Sequence, residues 1–334
     1  MKTKLPDEDV GGIATYSITI DVGDKSRPPV VSSESLVVSG RGRYIFNTHP
    51  EGETLNDDQD ARVIYARFRK ESQKGFVGPK VDFRRDHPIL TQIADHKGIK
   101  LPSVKKSCDA FLKTISSVRF LDLDPQALRR PSIPGQIILG DKGENLSSVL
   151  QAICAETTSK EALIEWTREL TPLDVIDMRF PEVSLEGKIQ LQIVESGGRE
   201  VSAESASDGT LRFLAFAAAL LGTEPARFYF FEEVENGIHP NRAHLLVNLL
   251  RKSTRNGNIQ VAGTTHSPAL LNFLDETSLS DASLVYRAGS VSKIRSFSDI
   301  PALWQVASTS SAGDLHGSGW FENAAAFLES EDQA

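Results

Sequence analysis

The stretch that most constrains this chain runs from residue 227 to residue 240. It reads Arg227, four consecutive aromatics (Phe228, Tyr229, Phe230, Phe231), then Glu232, Glu233, Val234, Glu235, Asn236, Gly237, Ile238, His239 and Pro240. An amphipathic strand alternates polar and apolar residues, and this one has no polar face. It fits a strand buried on both faces of a parallel sheet. Such a strand delivers the residues after it to the crevice at the sheet's carboxyl edge, where α/β proteins place ligands. Here those residues begin with two adjacent carboxylates. One of such a pair can hold Mg²⁺ on a phosphate while the next orients an attacking water. The plainer reading is a pair of solvated loop glutamates.

Two further patches flank this stretch. Upstream, Ser205, Ala206, Ser207, Asp208, Gly209, Thr210, Leu211 and Arg212 lead into an apolar run at 213–221. Ser207 or Asp208 suits an N-cap. A small-residue helix start offers free N–H groups and the positive end of the helix dipole to a phosphate. By itself it is equally a plain cap on a core helix. Downstream, a short apolar strand at 259–264 ends in Thr264, Thr265 and His266, and Ser267-Pro268 opens a helix. A strand-end histidine can hydrogen-bond a terminal phosphate, though taken singly it is more often structural.

The wider pattern is α/β. Residues 14–46 alternate as a meander with Tyr16, Ile18 and Ile20 on one face, and 51–60 is an acidic loop. Helices are expected over 88–99, 105–118, 145–155 and 159–170 from the spacing of their apolar residues. The segment 125–134 holds three prolines and reads as a connector. A hairpin is expected around Glu186-Gly187. From 202 onward the pattern becomes helix 208–222, strand 227–231, helix 241–252, strand 259–264, helix 267–274 and strand 283–287, which implies a parallel sheet.

Composition narrows the class. Lys and Arg number 37 against 45 Asp and Glu, a net charge of −8, so wholesale wrapping of nucleic acid is disfavoured. Two cysteines, Cys108 and Cys154, exclude a disulfide framework and point to the reducing cytoplasm. Both sit in helical patterns, as buried thiols do. The apolar run at 213–221 is far short of the ~20 residues that cross a bilayer. The N-terminal nine residues lack the apolar core of a secretory signal. His239 and His244 lie five apart, off a common helix face, which excludes zinc. The pairs Arg84-Arg85, Lys105-Lys106 and Arg129-Arg130 read as solvated faces, or alternatively as local DNA or partner contacts.

In this order the three patches resemble the C-terminal half of an ABC-type ATPase head. The likeness is to the prokaryotic AAA-type ATPases grouped with RecF, SMC and overcoming-lysogenization-defect proteins. Ser207, Asp208, Gly209 and Thr210 stand at the signature position, Glu232 at the Walker B metal carboxylate and Glu233 at the catalytic glutamate. Asn236, Gly237, Ile238 and His239 stand at the D-loop, and His266 at the switch histidine. Residues 139–150 and 311–320 resemble further stretches of these ATPases. Val234 replaces their usual proline.

The resemblance implies a P-loop NTPase fold, with a mostly parallel core sheet, an antiparallel β margin and a helical insertion. Within one head, 1–85 would form the margin, 86–180 the insertion and 181–334 the signature, Walker B and switch lobe. It implies ATP and Mg²⁺ as cofactors, and ATP sandwiched in a homodimer so that the signature of one copy faces the γ-phosphate held by the other. Glu232 would hold Mg²⁺, Glu233 would polarise water, and His266 would steady the γ-phosphate. Relatives act in DNA repair, chromosome handling and phage defence, often beside a nuclease partner.

One departure is large. The sole Gly-Lys pair, Gly187-Lys188, is followed by Ile189, and position 182 is Glu182 rather than glycine. The amides and lysine that cradle phosphates in a P-loop are therefore missing. The head is expected to lack its first strand, P-loop and helix, through a truncated gene start, a split protein or degeneration. Loss of the P-loop strand would bare one edge of strand 259–264. A chain of this kind is expected to hydrolyse little ATP alone. The rival reading is a non-catalytic scaffold or regulatory module that keeps the head's shape.

Overall fold

The computed structural model describes residues 2–4, 13–22, 28–38, 43–51, 62–68, 79–300, 303, 306 and 309–324. The acidic loop expected at 51–60 lies outside them, apart from Glu51. The backbone gathers into two compact units, Met1–Ser117 and Val118–Ala334.

The first unit is an antiparallel meander of six strands in sequence order. They are β1 (Lys2–Lys4), β2 (Ile13–Asp21), β3 (Val30–Val38), β4 (Arg43–Asn47), β5 (Val63–Phe68) and β6 (Lys80–Arg84). Alternation puts Ile64, Ala66 and Phe68 of β5 on the buried face, against Leu36, Phe46 and Phe83. Of the helix expected at 88–99, only one turn forms, α1 (Ile89–Gln92). Its first amides are held by a distant side chain: the buried Glu34 carboxylate accepts from Ile89 N–H at 2.6 Å and Leu90 N–H at 2.9 Å. The next helix, α2 (Pro102–Ser116), begins three residues before the expected start, because proline is tolerated at a first helical position. It buries Val104, Cys108 and Phe111. Burial pushes the Cys108 thiol well above its ordinary range, and that of Cys154 up to about 11.

The second unit opens with a strand that the sequence pattern did not mark, β7 (Val118–Leu121), whose first residue closes the helix expected over 105–118. Then come α3 (Pro125–Leu128), α4 (Leu146–Cys154) and α5 (Thr157–Leu170), and an antiparallel sheet of β8 (Val175–Arg179), β9 (Gln192–Glu195) and β10 (Glu200–Ser202). The turn expected at Glu186-Gly187 forms, with Val183 N–H donating to Lys188 O at 2.9 Å. The ladder there shrinks to isolated bridges of Ile189 with Ser132 and Glu182.

Helix α6 (Asp208–Leu221) follows β10. Ser207 caps it, its Oγ accepting from Thr210 N–H at 3.1 Å. The helix is apolar almost all round, as a helix inside a core must be, and it buries Leu211, Phe213, Leu214, Phe216 and the alanines between. Then come β11 (Phe228–Phe231), α7 (Ala243–Thr254) and β12 (Gln260–Gly263).

Strands β12, β11 and β7 form a parallel sheet in that order, with Phe231 opposite Gly263 on one side and Leu121 on the other. β11 is central, as its aromatic run required. Its two faces differ, however. Tyr229 and Phe231 are buried, whereas Phe228 and Phe230 are half-buried, and Phe120 beside Phe230 is 65% exposed. A tyrosine can sit in this core because its hydroxyl donates to Ala219 O at 2.7 Å and accepts from Ala226 N–H at 2.8 Å.

Among the described strands β12 pairs only with β11. Two sequence expectations are corrected. The helix expected over 267–274 is a single turn, α8 (Pro268–Leu271). The strand expected at 283–287 is outside the parallel sheet: β13 (Ser283–Ala288) folds antiparallel onto β14 (Val291–Ser296) over a turn at Gly289.

Candidate functional site

The register of the parallel sheet aligns three strand ends. Asp122 follows Leu121, Glu232 follows Phe231, and Thr264 follows Gly263. Both glutamates are exposed at this edge. Beyond it, the loop 232–239 and the end of β12 are joined by a run of hydrogen bonds. Thr264 N–H donates to Phe231 O at 3.0 Å, Glu233 N–H to Thr264 Oγ1 at 2.9 Å, and Val234 N–H to Thr264 O at 3.1 Å. The proline usual at position 234 would lack the last donor. One residue on, His266 N–H donates to Glu235 Oε1 at 3.0 Å. Glu235 Oε2 is buried and has no hydrogen-bond partner among the described residues.

Glu233 has φ +47°, the sole positive value at a non-glycine residue among the described ones. A side chain there costs energy and persists only where surroundings enforce it. They do so here. Asn236 N–H donates to Glu233 O at 2.8 Å, and Asn236 Nδ2 to Glu233 Oε2 at 3.2 Å. The backbone and carboxylate of Glu233 are thus both held, by Thr264 on one side and Asn236 on the other.

The loop then meets the start of α6. Gly237, at φ +85°, lies against Gly209. A Cβ on Gly209 would sit 3.0 Å from Gly237 Cα and collide with its carbonyl oxygen. This contact requires glycine at both positions. It brings the start of α6 beside Glu233 and Asn236 within the same unit. Next to it is a cavity of about 190 Å³ whose lining includes Asp122, Arg212, Glu232, Glu233 and Asn236, with Phe213, Phe216 and Phe231 as apolar walls.

The structure therefore brings together Glu232, Glu233, Asn236, Gly237 and Gly209, with His266 tied to them through its backbone. Ser207 and Thr210 are occupied locally, their hydroxyls 2.8 Å apart. Asp208 faces elsewhere, toward Arg129, 2.6 Å from its guanidinium. His239 caps the turn at Pro240, its Nδ1 accepting from Asn241 N–H at 3.2 Å.

Four residues of this region carry no site role in the sequence pattern: Asp122, Arg129, Thr264 and Glu235. Asp122 is hidden because the short stretch between the helix expected at 105–118 and the connector at 125–134 carries no pattern that marks a strand. Thr264 stands in the strand end without a role of its own. The reading of the basic pairs as solvated is corrected in two places. Arg129 is engaged by the 204–208 loop, and Arg85 is buried with its Nε donating to Val31 O at 3.1 Å. No group of three His, Cys, Asp or Glu side chains suited to a bare metal site occurs among the described residues.

A scan against protein families matches residues 20–272 to the family described as "AAA domain, putative AbiEii toxin, Type IV TA system". The chain belongs to this AAA-domain family. The ABC/AAA-type ATPase likeness read from the sequence is borne out at that level. A curated relative, an "ATP/GTP phosphatase" from Helicobacter pylori, is 26% identical over 164 residues, which are 47% of this chain and 43% of the relative. The match thus spans under half of that protein. Among solved structures, an SMC head bound to the C-winged helix domain of ScpA is 17% identical, with 82% of this chain and 76% of that one covered and a TM-score of 0.39. The SMC head domain from Thermotoga maritima is 15% identical, with 82% and 77% covered and a TM-score of 0.35. Among the described residues no helix is long and apolar enough to cross a membrane.

The oxygen-rich set at the sheet edge suits Mg²⁺ on a nucleotide in kind. Mg²⁺ takes oxygen ligands, keeps several waters, and is commonly held by one or two carboxylates plus phosphates rather than by an all-protein cage.

Proposed function

We propose that this chain forms an ATP-hydrolysing head of the ABC type, with ATP and Mg²⁺ closed between two copies. The observation that carries the reading is Glu233. It is a carboxylate held at positive φ by Thr264 and Asn236, beside Glu232 at the end of a central parallel strand, with the start of α6 locked against the same loop. Strain of this kind clusters at functional sites.

In this reading Glu232 holds Mg²⁺, which when bound neutralises phosphate charge. Glu233 accepts a hydrogen bond from the attacking water and orients it. His266 donates to the γ-phosphate. The turn formed by Ser207, Asp208, Gly209 and Thr210 of one copy faces the nucleotide held by the other, with the Asp208 carboxylate drawn away to Arg129, and Asn236 and Gly237 line the seam. The "ATP/GTP phosphatase" name of the Helicobacter pylori relative supports triphosphate hydrolysis. We place the role in DNA repair or anti-phage defence beside a partner protein such as a nuclease, in keeping with the toxin–antitoxin wording of the family description.

The phosphate cradle comes from outside the 334 residues in this proposal. Gly187, at φ +72°, serves a reverse turn, and Lys188 Nζ is paired with Glu186 at 2.6 Å, so this Gly-Lys pair is committed elsewhere. The edge of β12 away from β11 offers a place for a further parallel strand. A second reading, a non-catalytic scaffold, is favoured by the absent P-loop motif alone.

The experiment compares three proteins. The 334-residue chain alone is expected to bind Mg-ATP weakly and hydrolyse it negligibly. The chain supplied with a P-loop strand and helix, fused or in trans, is expected to turn over. Glu233→Gln in the supplied form should keep binding and lose turnover by roughly 100-fold or more. Unchanged turnover in that variant would sink the assignment, and no turnover in any supplied form would favour the scaffold.

A further inference from the structure

We propose that Arg129 is the positioning residue of the signature loop, holding the loop by its backbone and cancelling the charge of Asp208 at the head of α6. The functional half of this inference rests on the nucleotide reading above.

Arg129 is the C-cap of α3, and its side chain is 21% exposed. Its guanidinium makes four hydrogen bonds. Nη1 donates to Pro125 O at 2.9 Å, which fixes the side chain over its own helix turn. The others go to the loop ahead of α6: Nη2 to Ala206 O at 2.9 Å and Asp208 Oδ1 at 2.6 Å, and Nε to Glu204 O at 3.4 Å. A second link runs alongside, with Gln190 Nε2 donating to Arg129 O at 3.0 Å and Glu204 Oε1 at 3.4 Å. One planar fork thus meets three acceptors on five residues of loop. Lysine, a compact ammonium on a flexible stem, cannot reproduce this.

The charge matters as much as the geometry. Asp208 is the first residue of α6, where a carboxylate is favoured by the helix dipole. A triphosphate drawn to the same helix start would meet that carboxylate as a like charge. Arg129 draws Asp208 aside and neutralises it, leaving the positive helix end to an anion. Through α3 the guanidinium is also anchored to the carboxylate side of the site. Asp124, three residues beyond the end of β7, caps α3 by accepting from Gln126 N–H at 3.0 Å, and β7 pairs in register with β11. Arg129 therefore connects the end of β7, the neighbour of the strand that bears Glu232, to the loop that faces the phosphate.

The test uses the 334-residue chain as wild type, Arg129→Gln, Arg129→Lys, Asp208→Asn and the double variant Arg129→Gln/Asp208→Asn, each checked for folding by circular dichroism. The first readout is amide hydrogen exchange over 204–211. It should rise by about tenfold or more in Arg129→Gln and remain raised in Arg129→Lys, with the rest of residues 118–300 unchanged. Unaltered exchange in both overturns the clasp. The second readout is Mg-ATP titration at millimolar concentration followed by the ³¹P linewidth of the γ-phosphate. Arg129→Gln should weaken binding by about fivefold or more, and adding Asp208→Asn should restore it although the loop stays loose. A purely structural role predicts no such rescue, and its absence overturns the charge-cancelling role. Equal binding by wild type and Arg129→Gln overturns the positioning role while leaving the nucleotide reading intact. Where the wild-type chain alone shows no binding, the same titration is made on the form supplied with the P-loop strand and helix; no binding there defeats the nucleotide reading and the functional half of this proposal with it, and the exchange data then judge the clasp by itself.

Discussion

Gly209 and Gly237 pack backbone against backbone, with Gly237 Cα 3.0 Å from where a Gly209 Cβ would sit. This contact ties the second residue of α6 to the loop that follows the two site glutamates. In an open helix, Gly209→Ala would stabilise by about 1 kcal/mol. Here the added methyl meets backbone, and overpacking of that kind costs about 1–3 kcal/mol, so the variant should be net destabilised. Gly237→Ala should lose about 2–4 kcal/mol, because the collision adds to the strain of φ +85°. Urea unfolding followed by tryptophan fluorescence reports this directly, since the described tryptophans Trp166 and Trp320 lie in the second unit. A stabilised Gly209→Ala would show that the contact gives way cheaply.

Glu233 should trade stability for its position. Glu233→Gly removes the cost of a side chain at φ +47° and loses one exposed hydrogen bond to Asn236, so the variant should gain about 0.5–1 kcal/mol. Glu233→Gln keeps the backbone cost and should be neutral. Thr264→Val should lose about 1 kcal/mol by removing the acceptor of the Glu233 N–H, while Thr264→Ser should not. The same fluorescence titration ranks the four variants. Equal stability of Glu233→Gly and Glu233→Gln would show that φ +47° is unstrained.

Much of the site was legible in the sequence because its signals are local. Four aromatics followed by two glutamates specify a central strand and its edge from adjacent residues alone. Ser207 ahead of an apolar run specifies a cap and a core helix. The misses share a different cause. β7 follows directly on the helix expected over 105–118 and has four residues, too few for periodicity to mark a strand. The roles of Arg129 and Thr264 depend on partners 79 and 31 residues away in the chain. No local pattern encodes such pairings. The placement of β13 failed similarly, because its partner β14 is a polar strand whose pairing depends on the turn at Gly289.

The two aromatic faces of the parallel sheet should respond differently to truncation. Phe231 is 2% exposed and its ring lies 4.4 Å from that of Phe216, so Phe231→Ala should cost about 3–5 kcal/mol. Phe120 packs on Phe230 at 5.6 Å between ring centroids but is 65% exposed, so Phe120→Ser should cost about 1 kcal/mol or less. Unfolding midpoints in urea give both values. A comparable loss at Phe120 would mean that its face is covered in solution.

The first unit should become less stable as pH rises, because of Glu34. Its carboxyl accepts from Tyr16 Oη at 2.9 Å and from the Ile89 and Leu90 amides, and these donors favour the charged form. Burial outweighs them and lifts the group above its ordinary value of 4.5. A folded-state value above the unfolded one means that the folded protein binds the proton more tightly. The contribution is therefore complete below pH 4.5 and is lost as pH climbs through the raised value. Tyr16 acts with the same sign at alkaline pH: burial first, then the Glu34 charge, raise its phenol, so its contribution is complete below pH 10 and is lost above it. Replacing Glu34 by Gln shifts stability by a constant through the altered hydrogen bonds but removes the acidic titration. The unfolding free energy of wild type minus that of Glu34→Gln should fall between pH 4.5 and neutrality. It can be followed by tyrosine fluorescence or by exchange of the Ile89 and Leu90 amides corrected for intrinsic rates. A difference that grows with pH over that window would mean that the three donors, not burial, set the ionisation of Glu34.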